Sequence, residues 1–110
     1  MSKVGCDVLR IDRIKDKMAK PDFIKSFFSD REILYFESVN FAPQTVTGNF
    51  CAKESFVKAL GTGFGKIRPC NIEVLRKENG MPYILFEEKE YNVSISHDGD
   101  YTFAVVIVED

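Results

Sequence analysis

The sequence predicts an α+β fold in which N-terminal helices and a central helix pack on an antiparallel sheet. Two rhythms in the apolar residues predict it. From Ile11 to Leu60 they recur at the three-and-four spacing of helices buried along one face, and beyond Asn71 they alternate, or run almost unbroken, as strands do. Helices in the first half and strands in the second make the α+β pattern. Length is the third observation: 110 residues suit one domain, 1-110, large enough for a single core without disulfides or metal staples.

Val4 to Leu9 reads as a short apolar strand broken by Gly5 and Asp7. A carboxylate inside such a run is expensive unless it is paired, protonated or metal-bound, so Asp7 either sits at the strand's exposed end or has a task. Ile11, Ile14 and Met18 give a first helix over residues 11–20. Its other sides carry Arg13, Lys15, Lys17 and Lys20, which make either a solvated face or a dock for an acidic partner. After Pro21 and Asp22, the residues Phe23, Ile24, Phe27 and Phe28 form a second apolar turn. Ser29 and Glu32 have the spacing of a capping box, opening a third helix through Ile33, Leu34 and Phe36. Residues 40–47 are expected as a loop around Pro43, with Thr45 or Thr47 capping the central helix.

That helix is the stretch NFCAKESFVKALGTGFG, from Asn49 to Gly65, with Phe50, Val57 and Leu60 at helical spacing. Glu54 and Lys58 are four apart and share a side, while Lys53 points elsewhere. Gly61, Gly63 and Gly65 end the helix, since glycine accepts the left-handed backbone of a C-terminal cap, and a glycine loop beside lysines also suits a polyphosphate. A capped core helix with a solvated Glu-Lys pair explains the same residues. Further on, residues 71–76 and 82–87 read as a hairpin turning at Asn79-Gly80, and residues 92–96 and 101–108 as two more strands, the last with the continuous apolar run of a central strand. The lone histidine, His97, closes the strand motif Ser94-Ile95-Ser96-His97, where it is either structural or a proton-transfer group.

Composition excludes several classes of function. With 45% apolar residues and ten Phe, the chain is a packed globular protein. A net charge of -2 gives no general attraction to nucleic acid, whose binding rests on surplus Lys and Arg. Cys6, Cys51 and Cys70 lack metal-ligand spacing and read as reduced core thiols of a cytoplasmic protein. No signal-peptide core and no bilayer-length apolar run is present in the sequence, so no membrane association is expected.

Three motifs in order, GCDVLRIDRI, FCAKESFVKALGTG and SISHDGDYTFAVVIVE, resemble those of the holo-[acyl-carrier-protein] synthases, the small bacterial class of phosphopantetheinyl transferases. The resemblance implies Mg-dependent transfer of the 4'-phosphopantetheine arm of coenzyme A to a serine of apo acyl carrier protein, with release of adenosine 3',5'-bisphosphate. Such chemistry serves fatty-acid and other lipid synthesis. It also implies a homotrimer with coenzyme A in clefts between neighbouring subunits. By the same resemblance Asp7 and Glu54 are the Mg ligands, and Lys58 faces the pyrophosphate. Asn49, Lys53, Gly61, Gly63, Pro82, Ser96 and His97 are expected around coenzyme A, with His97 also as a contact or proton-handling residue. Arg13 and Lys17 are expected to meet the carrier.

The sequence departs from the family where positive charge is expected. Position 49, commonly Arg near the coenzyme A 3'-phosphate, is Asn49; residues 41–47 carry no charge; Gly80-Met81-Pro82 replaces a Gly-Lys-Pro turn; and Arg10 stands where an acid is common. Lys53, Lys66 and Arg68 are the candidates to compensate. The alternative function is a coenzyme A or carrier-protein binding module of the same fold that no longer turns over.

Overall fold

The structure, a computed structural model, describes residues 1–109. Strand β1 (Ser2–Arg10) is followed by helices α1 (Ile11–Met18), α2 (Phe23–Phe27), α3 (Asp30–Ser38) and α4 (Pro43–Leu60). A single turn of 3-10 helix, Pro69–Asn71, leads into β2 (Glu73–Arg76), β3 (Pro82–Phe86), β4 (Lys89–Asp98) and β5 (Tyr101–Glu109). The strands form one sheet in the order β1-β5-β4-β3-β2, with every neighbouring pair antiparallel. The first and last strands therefore lie side by side: β1 pairs with β5 from Ser2↔Glu109 to Arg10↔Tyr101.

Local chemistry accounts for the boundaries. Ser29 accepts from the Glu32 amide while the Glu32 carboxylate accepts from the Ser29 amide, the reciprocal capping box that starts α3. The β2–β3 hairpin turns where expected: Gly80 has φ 88°, and the Asn79 side chain accepts from the Met81 amide. Gly61 has φ 78° and its amide reaches back to the carbonyls of Val57 and Lys58, closing α4. The other end of α4 corrects the sequence reading. Residues 43–47 are helix and not loop, with Pro43 in the first helical turn and Ala42 at the cap without a side-chain bond. Neither Thr45 nor Thr47 caps; the Thr47 hydroxyl donates to the Pro43 carbonyl one turn back, at 2.6 Å.

The inner face of the sheet holds the core. Alternation along β5 turns Thr102, Ala104, Val106 and Val108 inward, beneath α4. Small residues on α4 allow a close seat: Ser55 Oγ donates to the Ala104 carbonyl at 3.1 Å, and a Cβ placed on Gly5 would stand 2.0 Å from the Ser55 carbonyl oxygen and 2.6 Å from the Ala59 nitrogen. Aromatic side chains fill the space between α4 and the short helices, with the Phe27 and Phe50 rings stacked at 4.3 Å and Phe28 edge-on to Phe36. On the sheet's other face, β5 and β1 present Val4, Val8, Tyr101, Phe103 and Ile107 to solvent. The continuous apolar run of β5 is thus that of an internal strand with one face covered by helix and one face bare.

Gly5 sets the helix-to-sheet distance, because both atoms facing its missing Cβ are backbone and cannot rotate away. Gly5→Ala is expected to destabilise the protein by about 1–3 kcal/mol or more. The urea midpoint measures this, with Gly99→Ala, at a turn where no atom lies within 4 Å of the new Cβ, as the comparison for backbone strain without crowding.

Candidate active site

Two groups of polar side chains flank α4. On the β1 side, alternation turns Asp7 inward from an edge strand, opposite Ala104. The Cys51 thiol of α4 fixes the strand there by donating to the Asp7 carbonyl at 3.2 Å. Lys58, further along α4, reaches the Asp7 carboxylate at 2.9 Å and the Cys6 carbonyl at 3.1 Å. Glu54 lies one turn before Lys58 and is half-buried. Burial first, and then the nearby Asp7 charge, push the Glu54 carboxyl above its usual range, against the pull of Lys58 and Arg13. Hydrogen bonding to Asp7 in turn raises Lys58. Two carboxylates, an ammonium and a guanidinium therefore converge at one mouth.

This mouth offers oxygen donors to a hard cation, but only a pair of them; among the described residues no group of three or more His, Cys, Asp or Glu is placed to hold a metal. Of the three cysteines expected in the core only Cys51 is buried, Cys6 being exposed on an edge strand and Cys70 half-buried, and Cys51 is no nucleophile here. Burial and then Asp7 push its thiol up to about 12, so it stays protonated and serves as a hydrogen-bond donor.

The β4 side carries the second group. His97 turns inward at the end of β4, its Nδ1 2.9 Å from the Thr102 hydroxyl. Its ring edge lies against Gly48 of α4, where an added Cβ would stand 3.6 Å from Cε1. Partial burial and then the charge of Arg76 lower the imidazole from its ordinary value, so it is neutral at neutral pH. Strand β5, with α4 lying over it, stands between the strands of Asp7 and His97. Ser96 faces the opposite side of the sheet from His97, as neighbours on a strand must. Pro82 begins β3 opposite Arg76. Arg13 is exposed on α1 and its charge acts on Glu54, which brings the basic helix up to the acid pair.

Two sequence expectations need correction. Lys53 does not line a ligand site, because its ammonium is fully buried and all three of its hydrogens are used, on Glu32 at 2.6 Å, the Phe27 carbonyl at 2.7 Å and the Pro69 carbonyl at 3.0 Å. Asn49 is equally interior. Its amide nitrogen donates to Glu32 and to the Val74 carbonyl, and its oxygen accepts from Arg76 at 3.0 Å. Position 49 is therefore a bridge inside the protein and not a surface that a nucleotide could touch.

Arg76 itself was missed by sequence reasoning, although the period that buries Ile72 and Val74 puts it on the same inner face. A cleft of about 1080 Å³ opens beyond the C-terminal end of α4 between Thr62, Lys66, Arg68, Phe86 and Tyr91, and includes neither Asp7 nor His97. It holds two of the lysine and arginine candidates from the sequence, beside the carboxylates Asp30, Glu73 and Glu87.

Known proteins match this arrangement over almost its whole length. Residues 3–106 match the 4'-phosphopantetheinyl transferase superfamily. The chain is similar to the holo-[acyl-carrier-protein] synthase of Clostridium botulinum (strain Alaska E43 / Type E3), 41% identical over 117 residues that cover 96% of this chain and 95% of the relative. To that of Finegoldia magna it is 40% identical, covering 96% and 94%. A crystal structure of a holo-(acyl-carrier-protein) synthase from Bacillus anthracis in complex with CoA (3',5'-ADP) superposes with a TM-score of 0.85 at 28% identity, covering 96% of this chain and 93% of that one. The Helicobacter pylori synthase in complex with coenzyme A gives 0.84 at 28% identity, covering 94% and 96%.

The buried Lys53–Glu32 pair yields a test of its structural role. Burial pushes both groups toward their neutral forms, and their mutual hydrogen bond opposes it. Lys53→Met should cost about 3–5 kcal/mol by stranding a buried carboxylate, whereas the double variant Lys53→Met with Glu32→Leu should regain much of it. Denaturant unfolding of the single and double variants measures the difference; a Lys53→Met protein of unchanged stability would refute the assignment.

Proposed function

The chain belongs to the 4'-phosphopantetheinyl transferase superfamily, and we propose that within it the protein works as a holo-[acyl-carrier-protein] synthase. It moves the 4'-phosphopantetheine arm of coenzyme A onto a serine hydroxyl of an apo acyl carrier protein and releases adenosine 3',5'-bisphosphate. The convergence of Asp7, Glu54 and Lys58 on one flank of α4 carries this reading.

In the transfer, the serine oxygen bonds to the phosphorus that bears the pantetheine, the bond to the bridging oxygen breaks, and the hydroxyl proton passes to a base. Negative charge grows on the departing bisphosphate. Lys58 is more than half exposed and reaches its place on a flexible stem, so it can move from Asp7 onto that charge. Asp7 and Glu54 would hold Mg²⁺, a fit supported by the mutual repulsion that raises Glu54 and by the hard oxygen donors both supply. Bound there, the ion offsets charge on the diphosphate. Gly61 and Gly63 shape the loop by which the backbone approaches the ligand. His97, kept neutral, can accept a proton or contact the substrate. Pro82 and Ser96 are assigned to the coenzyme A surroundings as well.

The proposed assembly is a homotrimer in which the His97 flank of one copy completes the Asp7 flank of the next. Support comes from the separation of the two flanks by α4 and from the bare apolar face. There the register sets Val4 beside Ile107, Val8 beside Phe103 and Arg10 beside Tyr101, a contiguous stripe of the sort that marks an interface. Arg13 and Lys17 of α1 meet the acidic carrier, where complementary charge speeds encounter. The working unit is a single domain, its setting the cytoplasm and its pathway fatty-acid or related lipid synthesis; no helix of the described residues is long and apolar enough to cross a membrane.

Intact mass of an apo acyl carrier protein, after incubation with the protein and coenzyme A, tests the reading. One phosphopantetheine should be gained with Mg²⁺ and none with a chelator. Coenzyme A bound without any gain across several carriers would favour the non-catalytic binding module. Glu54→Gln should abolish transfer and, because ionised Glu54 is the disfavoured form in the fold, should also raise the melting temperature in chelator at neutral pH while removing the increment given by Mg²⁺. The sign follows from the raised carboxyl: stability is lost as pH climbs through the carboxylate range, and Gln lacks that loss. Phe103→Glu should give monomers by sedimentation and lose transfer together; a fully active monomer would overturn the shared site.

A further inference from the structure

The Arg76 guanidinium occupies an unusual position for a charged group. It is half-buried on the inner face of β2, its Nη2 donates to Asn49 at 3.0 Å, and its centre lies 4.9 Å from the Tyr35 ring. Among the described residues no carboxylate pairs with it; Tyr35 hydrogen-bonds it, and beyond Tyr35 the buried Glu32, already held by Lys53, Ser29 and Asn49, is the one carboxylate whose charge acts on it. A guanidinium stays charged in any protein setting, so here a half-buried cation that donates to Asn49, to Tyr35 and, at 3.5 Å, to the Leu75 carbonyl still has some of its five N–H groups to spare. Beside it stands His97, whose Nδ1 is committed to Thr102 and whose Nε2 has no protein partner. Half-buried positive charge and unused donors with no matching carboxylate define a place for an anion.

We propose that Arg76, oriented by Asn49 and Tyr35 and working with His97, binds the 3'-phosphomonoester of coenzyme A and makes the protein select it over the dephospho form. This rests on the transferase reading above. Coenzyme A carries two anionic groups, a diphosphate and a 3'-phosphomonoester. The diphosphate is the reacting group and belongs with Lys58 and the acid pair, on the other flank of α4. What remains for the Arg76 flank is the monoester, whose oxygens suit the planar fork of an arginine. Other cations are less suited. Arg31 is already paired with Glu73 through two hydrogen bonds, Lys53 is sealed in the core, and Lys66 and Arg68 share their cleft with three carboxylates.

The test is calorimetric titration of the full chain, in Mg²⁺, with adenosine 3',5'-bisphosphate and with adenosine 5'-monophosphate. The unmodified protein should prefer the bisphosphate by about tenfold or more, the scale of a charged hydrogen bond. Arg76→Gln should bring that ratio close to one with monophosphate affinity retained, and Arg76→Lys should restore part of it, since charge returns without the fork. Thermal melting of both variants checks that the Asn49 network survives; if Arg76→Gln fails to fold, Arg76→Lys alone decides by a reduced ratio. Equal affinities in the unmodified protein, an unchanged ratio in the variants, or a ratio lost only in a Lys66→Gln with Arg68→Gln double variant would each overturn the proposal. If the protein binds neither nucleotide, the transferase reading falls with it; if it binds both equally yet still modifies a carrier, Arg76 alone is refuted.

Discussion

Everything in this fold that bears on chemistry depends on how closely α4 lies on β1 and β5. That distance is set by an absence, the missing side chain of Gly5, against which the backbone of Ser55 and Ala59 rests. Ala52 and Ser55, with Ala104 below, continue the close approach. Only at this separation does the Cys51 thiol reach the Asp7 carbonyl, and only then does a lysine on the helix meet a carboxylate on the strand at 2.9 Å. A glycine inside a strand normally weakens it, so the strand's stability is exchanged for helix contact.

The interior is held by charge as well as by apolar packing. Lys53 joins α4 to the end of α2, to α3 and to the turn before β2, and every polar atom of the cluster finds a partner; among the described residues no buried side-chain nitrogen or oxygen is left unbonded. Such a pair adds little net stability over apolar groups of the same size, yet it tolerates few alternative geometries. The consequence reaches the surface. Glu32, fixed by Lys53 and Ser29, holds Asn49, and Asn49 holds Arg76, so one buried ammonium orders a chain of contacts that ends at the half-buried guanidinium.

Much of this was legible in the sequence. The capping box at Ser29, the Asn79-Gly80 turn and the alternation of the last strands are local signals, and each depends on residues a few positions apart. The start of α4 was not legible, because Pro43 is as good a signal for a loop as for the first helical turn, where a proline costs nothing. Lys53 was misjudged for a different reason. It adjoins Glu54 in the chain, but successive helix positions point about 100° apart, and the acceptors that claim Lys53 come from Phe27, Glu32 and Pro69, segments that periodicity cannot bring together. Asn49 looked like a lost cation; only the strand pairing shows that a cation returns to the same place from β2. Glu54 and Lys58 were legible as neighbours because they lie one turn apart on α4, whereas Asp7 comes to them from β1 and only the family resemblance set it beside Glu54.

The distribution of charge favours the proposed assembly over a single copy acting alone. At the β1 flank, two carboxylates face Lys58 and Arg13, so the mouth is close to neutral and, alone, offers little to a polyanion. A divalent cation between the carboxylates tips that balance toward a diphosphate. The β4 flank is the reverse, a guanidinium without a carboxylate. In the proposed binding mode one coenzyme A would meet both environments, its diphosphate at the first and its 3'-phosphate at the second. Within a protomer α4 stands between them; across the apolar stripe of β1 and β5, a second copy can bring the missing flank to the mouth. Assembly would then hide the exposed Val4, Val8, Phe103 and Ile107 and complete the electrostatics in the same step, so that substrate binding and association favour each other.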